Sequence, residues 1–258
     1  MLTGFKKERL IMEDKIAVEL KGVSKKYTLH HEKPTLVENI FTARSSEEFW
    51  ALKRINLEIK RGEKVGIIGP NGSGKTTLLE VISGITTPTR GSVITNGKKV
   101  SLIELEAGFH AELTGQENIY LNGLLIGMSK KEINSKIKKI ISFADVRQFI
   151  DAPFYAYSEG MKLRLGFSIV AHTNPDIVIL DENMAVGDTS FKVKSHEIIL
   201  DWIKKRKTII VVSHLLDFIS ETCDKVVWLE EGKIFDQGKT KTIIKKYLHK
   251  YYNRRGHE

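Results

Sequence analysis

The sequence predicts an α/β domain with a mainly parallel, buried core sheet, and three observations carry that prediction. Short β-rich apolar runs recur at Val65 to Ile68, Ile177 to Leu180, Thr208 to Val212 and Val226 to Leu229, the pattern of strands covered on both faces. Helical segments separate these runs, which supplies the crossovers that parallel neighbours need. A glycine-rich loop follows the first run directly and opens a helix, the order of a phosphate-binding turn. The 258 residues hold no internal repeat and no Gly/Ser or Pro linker. One domain over residues 1–250 is therefore expected, with a basic helical tail over 240–258.

In chain order, Ile16 to Tyr27 reads as a strand, with Ile16, Val18 and Leu20 alternating with Ala17 and Glu19, followed by a turn. Residues Leu29 to Trp50 are polar and aperiodic until Phe49 and Trp50, and read as an insertion over about 29–50. The strand Val65 to Ile68 leads through the loop Gly69 to Thr76 into a helix over Thr76 to Ser83. Ser129 followed by Glu132 is a capping box that opens a helix through about Ala144. Its Ile133, Ile137 and Ile140 share one face; Lys136, Lys138 and Lys139 fall mostly on the other, a solvated lysine face. Tyr157 to Met161 precedes a helix over Lys162 to His172, in which Ser158 reads locally as an N-cap. The tail sets Ile243, Ile244, Tyr247, Leu248 and Tyr251 at helical spacing among Lys239, Lys241, Lys245, Lys246, Lys250, Arg254 and Arg255. It predicts an amphipathic helix packed on the domain with a basic face in solvent, the alternative being contact with anionic lipid or a membrane partner.

Composition narrows the class. With 41% hydrophobic and 28% charged residues the chain is globular, and 41 basic against 32 acidic residues leave a net charge of +9. That excess implies an acidic partner: nucleic acid, an anionic membrane surface or phosphates. The single cysteine, Cys223, rules out an intrachain disulfide and a cysteine-based zinc site, and points to a reducing compartment. The first residues, MLTGFKKERLIMEDK, lack the apolar core of a signal peptide, so secretion is not expected. No apolar run approaches the roughly 18 residues that would span a bilayer.

Phosphate chemistry concentrates at Gly69 to Thr76, GPNGSGKT, which matches G-x-x-x-x-G-K-[ST]. Its glycines let backbone amides converge on an anion, the following helix N-terminus adds its dipole, Lys75 reaches the β and γ phosphates, and the Thr76 hydroxyl binds Mg²⁺. Far downstream, the buried strand Ile177 to Leu180 delivers Asp181 and Glu182 at its carboxyl end. Asp181 is the expected metal-binding acid and Glu182 the general base, or the group that orients an attacking water.

Taken with Ser158 before a helix, Ala185-Val186-Gly187-Asp188 past Glu182, and His214 after the strand Thr208 to Ser213, the series resembles an ATP-binding cassette (ABC) ATPase from Ile16 to Lys246. The resemblance implies a P-loop NTPase fold with an N-terminal antiparallel β portion and a helical subdomain over about 105–172. It also implies a homodimer that sandwiches two ATP molecules head to tail. Each ATP would lie between the Walker A loop of one copy (Gly69, Pro70, Asn71, Gly72, Ser73, Gly74, Lys75, Thr76 and Thr77) and the signature Tyr157 to Met161 of the other. Ser158 and Gly160 would then touch the γ-phosphate in trans, Asp188 would belong to the D-loop, and His214 would be the switch histidine, with Glu182 and Lys75 as the other catalytic residues. Tyr27 fits best as the aromatic that stacks on adenine, with Phe49 and Trp50 as rivals. Where ordinary cassettes carry a Gln, this chain offers Glu104, with Glu106 as its rival. An ionised acid there needs Mg²⁺ or a water as intermediary. Glu159 departs from the family by placing a carboxylate in the signature.

Three features look most like the ATP-binding subunits of bacterial polysaccharide exporters, which move O-antigens, teichoic acids and capsules. They are the YS-x-GM signature, the DE-x-x-AVGD run, and Ser101 to Asn118 (SLIELEAGFHAELTGQEN); the extra stretch ending in FWALK is also similar, and would lie near the membrane subunit. The resemblance implies an ATP-hydrolysing subunit that powers export of a lipid-linked polysaccharide through a separate transmembrane permease, peripheral at the cytoplasmic face of the bacterial inner membrane. Some relatives add a C-terminal carbohydrate-binding domain, which the residues after the cassette are too few to hold. An importer ATPase for a small solute and a soluble nucleic-acid-associated ABC ATPase are the alternatives. Neither a sustained heptad between Lys75 and Ser158 nor a second cassette supports the latter, so no nucleic acid is expected.

Overall fold

In the computed structural model, which describes residues 15–30, 46–103, 105–106, 108–181 and 188–251, the chain makes two sheets. The smaller is antiparallel, in the order β2-β1-β4, and consists of β1 (Ile16–His30), β2 (Ser46–Lys60) and β4 (Arg90–Thr95). The larger has the order β5-β6-β7-β3-β8-β9, from β5 (Lys99–Ser101), β6 (Ile177–Leu180), β7 (Thr208–Val212), β3 (Lys64–Ile68), β8 (Lys225–Glu230) and β9 (Lys233–Lys239). All its pairings are parallel except that of β9 with β8. A two-residue turn, Glu231 and Gly232, joins that last pair, and positive φ at both (49° and 77°) gives the twist a tight hairpin needs.

The continuous apolar runs are strands covered on both faces. Ile177, Ile179, Ile210, Val212, Val227 and Leu229 point into a core shared with the small sheet and with helix α1 (Lys75–Ser83). Their neighbours Val178, Leu180, Ile209, Val211, Val226 and Trp228 point into a second core on the opposite face. That core is closed by helices α4 (Glu159–Ala171), α5 (Thr189–Lys204), α6 (Leu216–Thr222) and α7 (Thr240–Tyr251). A third cluster, including Ile119, Ile133, Ile140, Phe154, Tyr157 and Leu165, holds α2 (Gly115–Leu125) and α3 (Lys130–Ala144) against α4.

Both helices of that layer begin with reciprocal capping boxes. Ser129 Oγ accepts from the Glu132 amide and Glu132 from the Ser129 amide; Thr114 and Glu117 repeat the arrangement at α2. The carboxyls of Glu117 and Glu132 are held below their usual range first by these backbone amides.

The structure changes two of the sequence expectations. Where a turn is expected after Tyr27, strand pairing continues, Thr28, Leu29 and His30 pairing with Glu48, Glu47 and Ser46, and residues 31–45 lie outside the described residues. The polar residues at these strand ends give no apolar alternation from which they could be read. The helix expected from Lys162 begins at Glu159, one turn earlier, directly after the Ser158 cap. The tail helix spans Thr240–Tyr251; residues 252–258, with Arg254 and Arg255, lie outside the described residues. Its apolar face is docked: Ile243 and Ile244 are buried, and Tyr247 and Tyr251 lie edge-on to Trp228. Lys250 binds Glu230 at 2.6 and 2.8 Å and lies 4.0 Å over the Phe235 ring. Among the described residues no helix is long and apolar enough to cross a membrane.

Candidate nucleotide-binding site

The loop between β3 and α1 owes its shape to backbone contacts that only glycine tolerates. Gly74, the N-cap of α1, has φ 98°, and a Cβ there would stand 2.5 Å from the Ala51 carbonyl oxygen. A Cβ on Gly69 would stand 2.2 Å from the carbonyl oxygen of Leu229. The β8-β9 turn buttresses the loop, since the Gly232 amide donates to Ser73 O at 3.1 Å and Gly232 O accepts from the Lys53 amide at 2.7 Å. Lys75 is buried, and its Nζ donates to the Gly69 and Pro70 carbonyls at 2.9 Å each. An ammonium held there within a ring of amides is an anion site at a helix N-terminus.

Around this loop lies an open cleft of about 420 Å³. Asn71, Gly72, Gly74, Lys75, Thr76 and Thr77 form its floor, and Phe49 and Ala51 of β2 one wall. Asp181, past the end of β6, and His214, past the end of β7, complete it. Parallel strands bring their carboxyl ends to one side of the sheet, which is why an acid and a histidine distant in sequence meet the loop. The Thr76 hydroxyl and the Asp181 carboxylate are hard oxygen donors that suit Mg²⁺. No cluster of three or more His, Cys, Asp or Glu capable of caging a metal occurs among the described residues. A cation here would complete its shell with water and phosphate oxygens, as Mg²⁺ does.

Of the remaining candidates, Glu104 and Glu182 lie outside the described residues. The aromatics separate by face. Phe49 lines the cleft and is 51% exposed; its cross-strand neighbour Tyr27 points its hydroxyl at Glu80 of α1 at 3.3 Å, beside the cleft lining. Burial raises the Tyr27 phenol pKa, an effect opposed by a hydrogen bond with Thr77. Trp50, next along the strand, faces the other way, between Lys26 at 5.8 Å and Arg90 at 5.4 Å. Phe49 lines the cleft wall, and Tyr27 stands beside it on the same face of the sheet.

Ser158 and Gly160 do not line this cleft. Ser158 is exposed and caps α4, its Oγ accepting from the Met161 amide at 3.3 Å. Tyr157 anchors it: buried to 4% exposure, it donates its hydroxyl to Phe149 O at 2.7 Å, and burial pushes the phenol up to about 12. Glu159 pairs with Lys162 at 2.8 Å, and burial, with Glu159 adding to it, raises the nearby Glu106 carboxyl. Asp188 caps α5 through the Ser190 and Phe191 amides, both at 3.0 Å, and accepts from Arg164 of α4 at 3.2 Å. The cap bonds, with Arg164 assisting, hold its carboxyl down at about 2.

Sequence reasoning missed the second capping box, though Thr114-x-x-Glu117 was legible, and it missed the ion pair of Arg164 with Asp188 and the Gly232 buttress, which local patterns do not signal.

A strand, a glycine loop and a helix with Asp181 and His214 at neighbouring strand ends define a P-loop nucleotide-binding domain. The family model described as ABC transporter matches residues 52–185, and the chain belongs to this family. It is 39% identical over 237 residues to the O-antigen export system ATP-binding protein RfbB of Klebsiella pneumoniae, covering 89% of this chain and 96% of that protein. It is 42% identical over 238 residues to the teichoic acids export ATP-binding protein TagH of Listeria innocua, covering 92% of this chain and 71% of TagH. The fold is that of solved cassettes: the dimeric MJ0796 cassette bound to ADP and Pi superposes with a TM-score of 0.63 at 24% identity, over 86% of this chain and 98% of that one. An ATP-binding subunit of another ABC transporter gives 0.65 at 22% identity, over 90% and 93%.

Proposed function

We propose that the chain is the ATP-hydrolysing subunit of an exporter that moves a lipid-linked polysaccharide through a separate permease, at the cytoplasmic face of the bacterial inner membrane. The convergence of Lys75, Thr76, Asp181 and His214 on one cleft supports the ATPase reading most directly, and likeness to O-antigen and teichoic acid export subunits supports the cargo. In this reading Lys75 and the loop amides hold the β and γ phosphates of ATP, with Phe49, beside Tyr27, against adenine. Thr76 and Asp181 would hold Mg²⁺, which would supply positive charge against that developing on the transferred phosphoryl group. Glu182 orients and deprotonates the attacking water, His214 hydrogen-bonds the γ-phosphate as a neutral imidazole, and Glu104 reads that phosphate through water.

The cassette works as a homodimer. Ser158, exposed at the α4 N-terminus, and the half-buried Gly160, neither of which lines its own cleft, would complete the cleft of a second copy, with Asp188 alongside. We assign residues 1–250 to one cassette, with a helical subdomain over about 105–172, and assign the insertion over about 29–50 to the permease side. Expression of the chain with its permease, followed by assay of surface glycan, tests this. Loss of export in Lys75→Ala, with the permease still made, agrees with the reading; export that persists without ATP hydrolysis contradicts it.

A further inference from the structure

The tail helix α7 reaches the phosphate loop through the β8-β9 turn. On one side the turn grips the loop: the Gly232 amide donates to Ser73 O, and Leu229 O lies where a Cβ on Gly69 would fall. On the other side α7 grips the turn. Glu230, the last residue of β8, accepts from Lys250 Nζ at 2.6 and 2.8 Å and from Tyr251 Oη at 2.8 Å. Exposed ion pairs contribute little, but both partners here are half-buried and three charge-assisted bonds converge on one carboxylate. The Phe235 ring of β9 fixes the ammonium further. Trp228, two residues before Glu230, pairs with Ile68, the residue that precedes Gly69, and Tyr247 and Tyr251 pack edge-on against it.

We propose that Glu230 is a positioning residue for the phosphate loop: by binding Lys250 and Tyr251 it lets α7 hold the β8-β9 turn in the form that seats Ser73 for nucleotide. The inference rests on the reading of this cleft as the ATP site and adds a residue that acts on it from outside. The turn needs such a hold. Glu231 has φ 49°, a left-handed conformation that is costly for a non-glycine residue and persists only where its surroundings over-determine it. A turn that relaxes takes the Gly232 amide with it, and the loop that holds the phosphates loses its lateral support. Because the loop grips substrate and transition state alike, the loss falls on KM rather than kcat. The coupling is also reciprocal: nucleotide in the loop must steady the clamp by the same factor by which the clamp strengthens nucleotide binding.

The test uses the purified chain with Mg·ATP. Glu230→Ala is expected to raise KM for ATP about fivefold while kcat changes less than about twofold. Glu230→Gln, which keeps an acceptor for both donors, is expected to return KM to within about twofold of wild type. Lys250→Met combined with Tyr251→Phe is expected to match Glu230→Ala, and adding Glu230→Ala to that pair to raise KM no further. Ile133→Val, in the core of the helical layer, is expected to lower the urea midpoint and leave KM unchanged, which separates positioning from general loss of stability. In wild type, Mg·ADP is expected to slow hydrogen exchange at the last-turn amides of α7 by at least about twofold. A wild-type KM in Glu230→Ala, additivity with the Lys250 and Tyr251 substitutions, or α7 exchange indifferent to nucleotide overturns the inference while leaving the ATP site intact. A wild-type chain that binds no nucleotide overturns both.

Discussion

The anchoring of Ser158 can be tested by a pair of substitutions whose effects should not add. A methyl group on Gly115, the first residue of α2, would lie 2.0 Å from Tyr157 Oη and 3.0 Å from its Cζ. The helix lacks the freedom to yield, because the Gly115 amide also donates to Ala152 O at 3.3 Å and Thr114 holds the capping box. Overpacking of this kind costs about 1–3 kcal/mol, and about 2 is a fair value for Gly115→Ala. Tyr157→Phe leaves the Phe149 carbonyl without its 2.7 Å donor in a part-buried setting, which also costs about 2 kcal/mol. Independent effects would sum to about 4 kcal/mol. In the double variant the oxygen that the new methyl strikes is gone, so most of the overpacking cost vanishes and the total should be about 2–3 kcal/mol, a coupling of about 1–2. Urea unfolding of the four proteins, followed by circular dichroism, measures this. Additivity within about 0.5 kcal/mol would refute the claim that Gly115 exists to admit the Tyr157 hydroxyl.

Three further outcomes follow from particular residues. Phe49→Ala should weaken ATP binding about tenfold, since base-aromatic stacking is worth about 1–3 kcal/mol, whereas Trp50→Ala on the opposite face should leave it unchanged in equilibrium titration. Lys75→Ala should reduce ATP affinity by about 2 kcal/mol or more, since charge-assisted bonds to phosphate are among the strong ones, and it should also lower the urea midpoint, because the Gly69 and Pro70 carbonyls lose their 2.9 Å donor. His172 is held below its ordinary pKa first by burial, with Lys136 and Lys139 adding to that and the Ser168 carbonyl at 2.8 Å opposing it. The unfolded chain therefore binds the proton more readily, so its contribution to stability is complete above about pH 6.5 and is lost as pH falls from there through the lower folded-state value. Urea midpoints at pH 7.5 and 5.5 should differ less in His172→Gln than in wild type, and an unchanged difference would count against this account.

Much of the fold was legible because its strongest constraints are local in sequence. Strands buried on both faces leave uninterrupted apolar runs, a phosphate loop requires glycines at fixed offsets, and the Ser129 capping box announces its helix. The weaker elements were not. Strand β9 alternates exposed and half-buried residues, and β5 has three residues, too few to show a period. The far end of the 29–50 insertion carries Glu47 and Glu48, so only their pairing with β1 reveals them as strand. At the site, Lys75, Thr76 and Asp181 could be named from the loop motif and the strand that ends in an acid, and His214 from the resemblance. The choice of Phe49 over Trp50 could not, because it depends on which face of β2 turns toward α1. The Arg164 ion pair with Asp188 joins residues 24 apart on different helices, and only tertiary packing brings them together.

The central claim is that this cleft hydrolyses ATP with Glu182 activating the water, and phosphate release by the purified chain with Mg²⁺ tests it most directly. Wild type should turn over, and Glu182→Gln should bind ATP with similar affinity while its rate falls by about 10²-fold or more, the usual contribution of a positioned base. Equal rates in the two proteins would contradict the account.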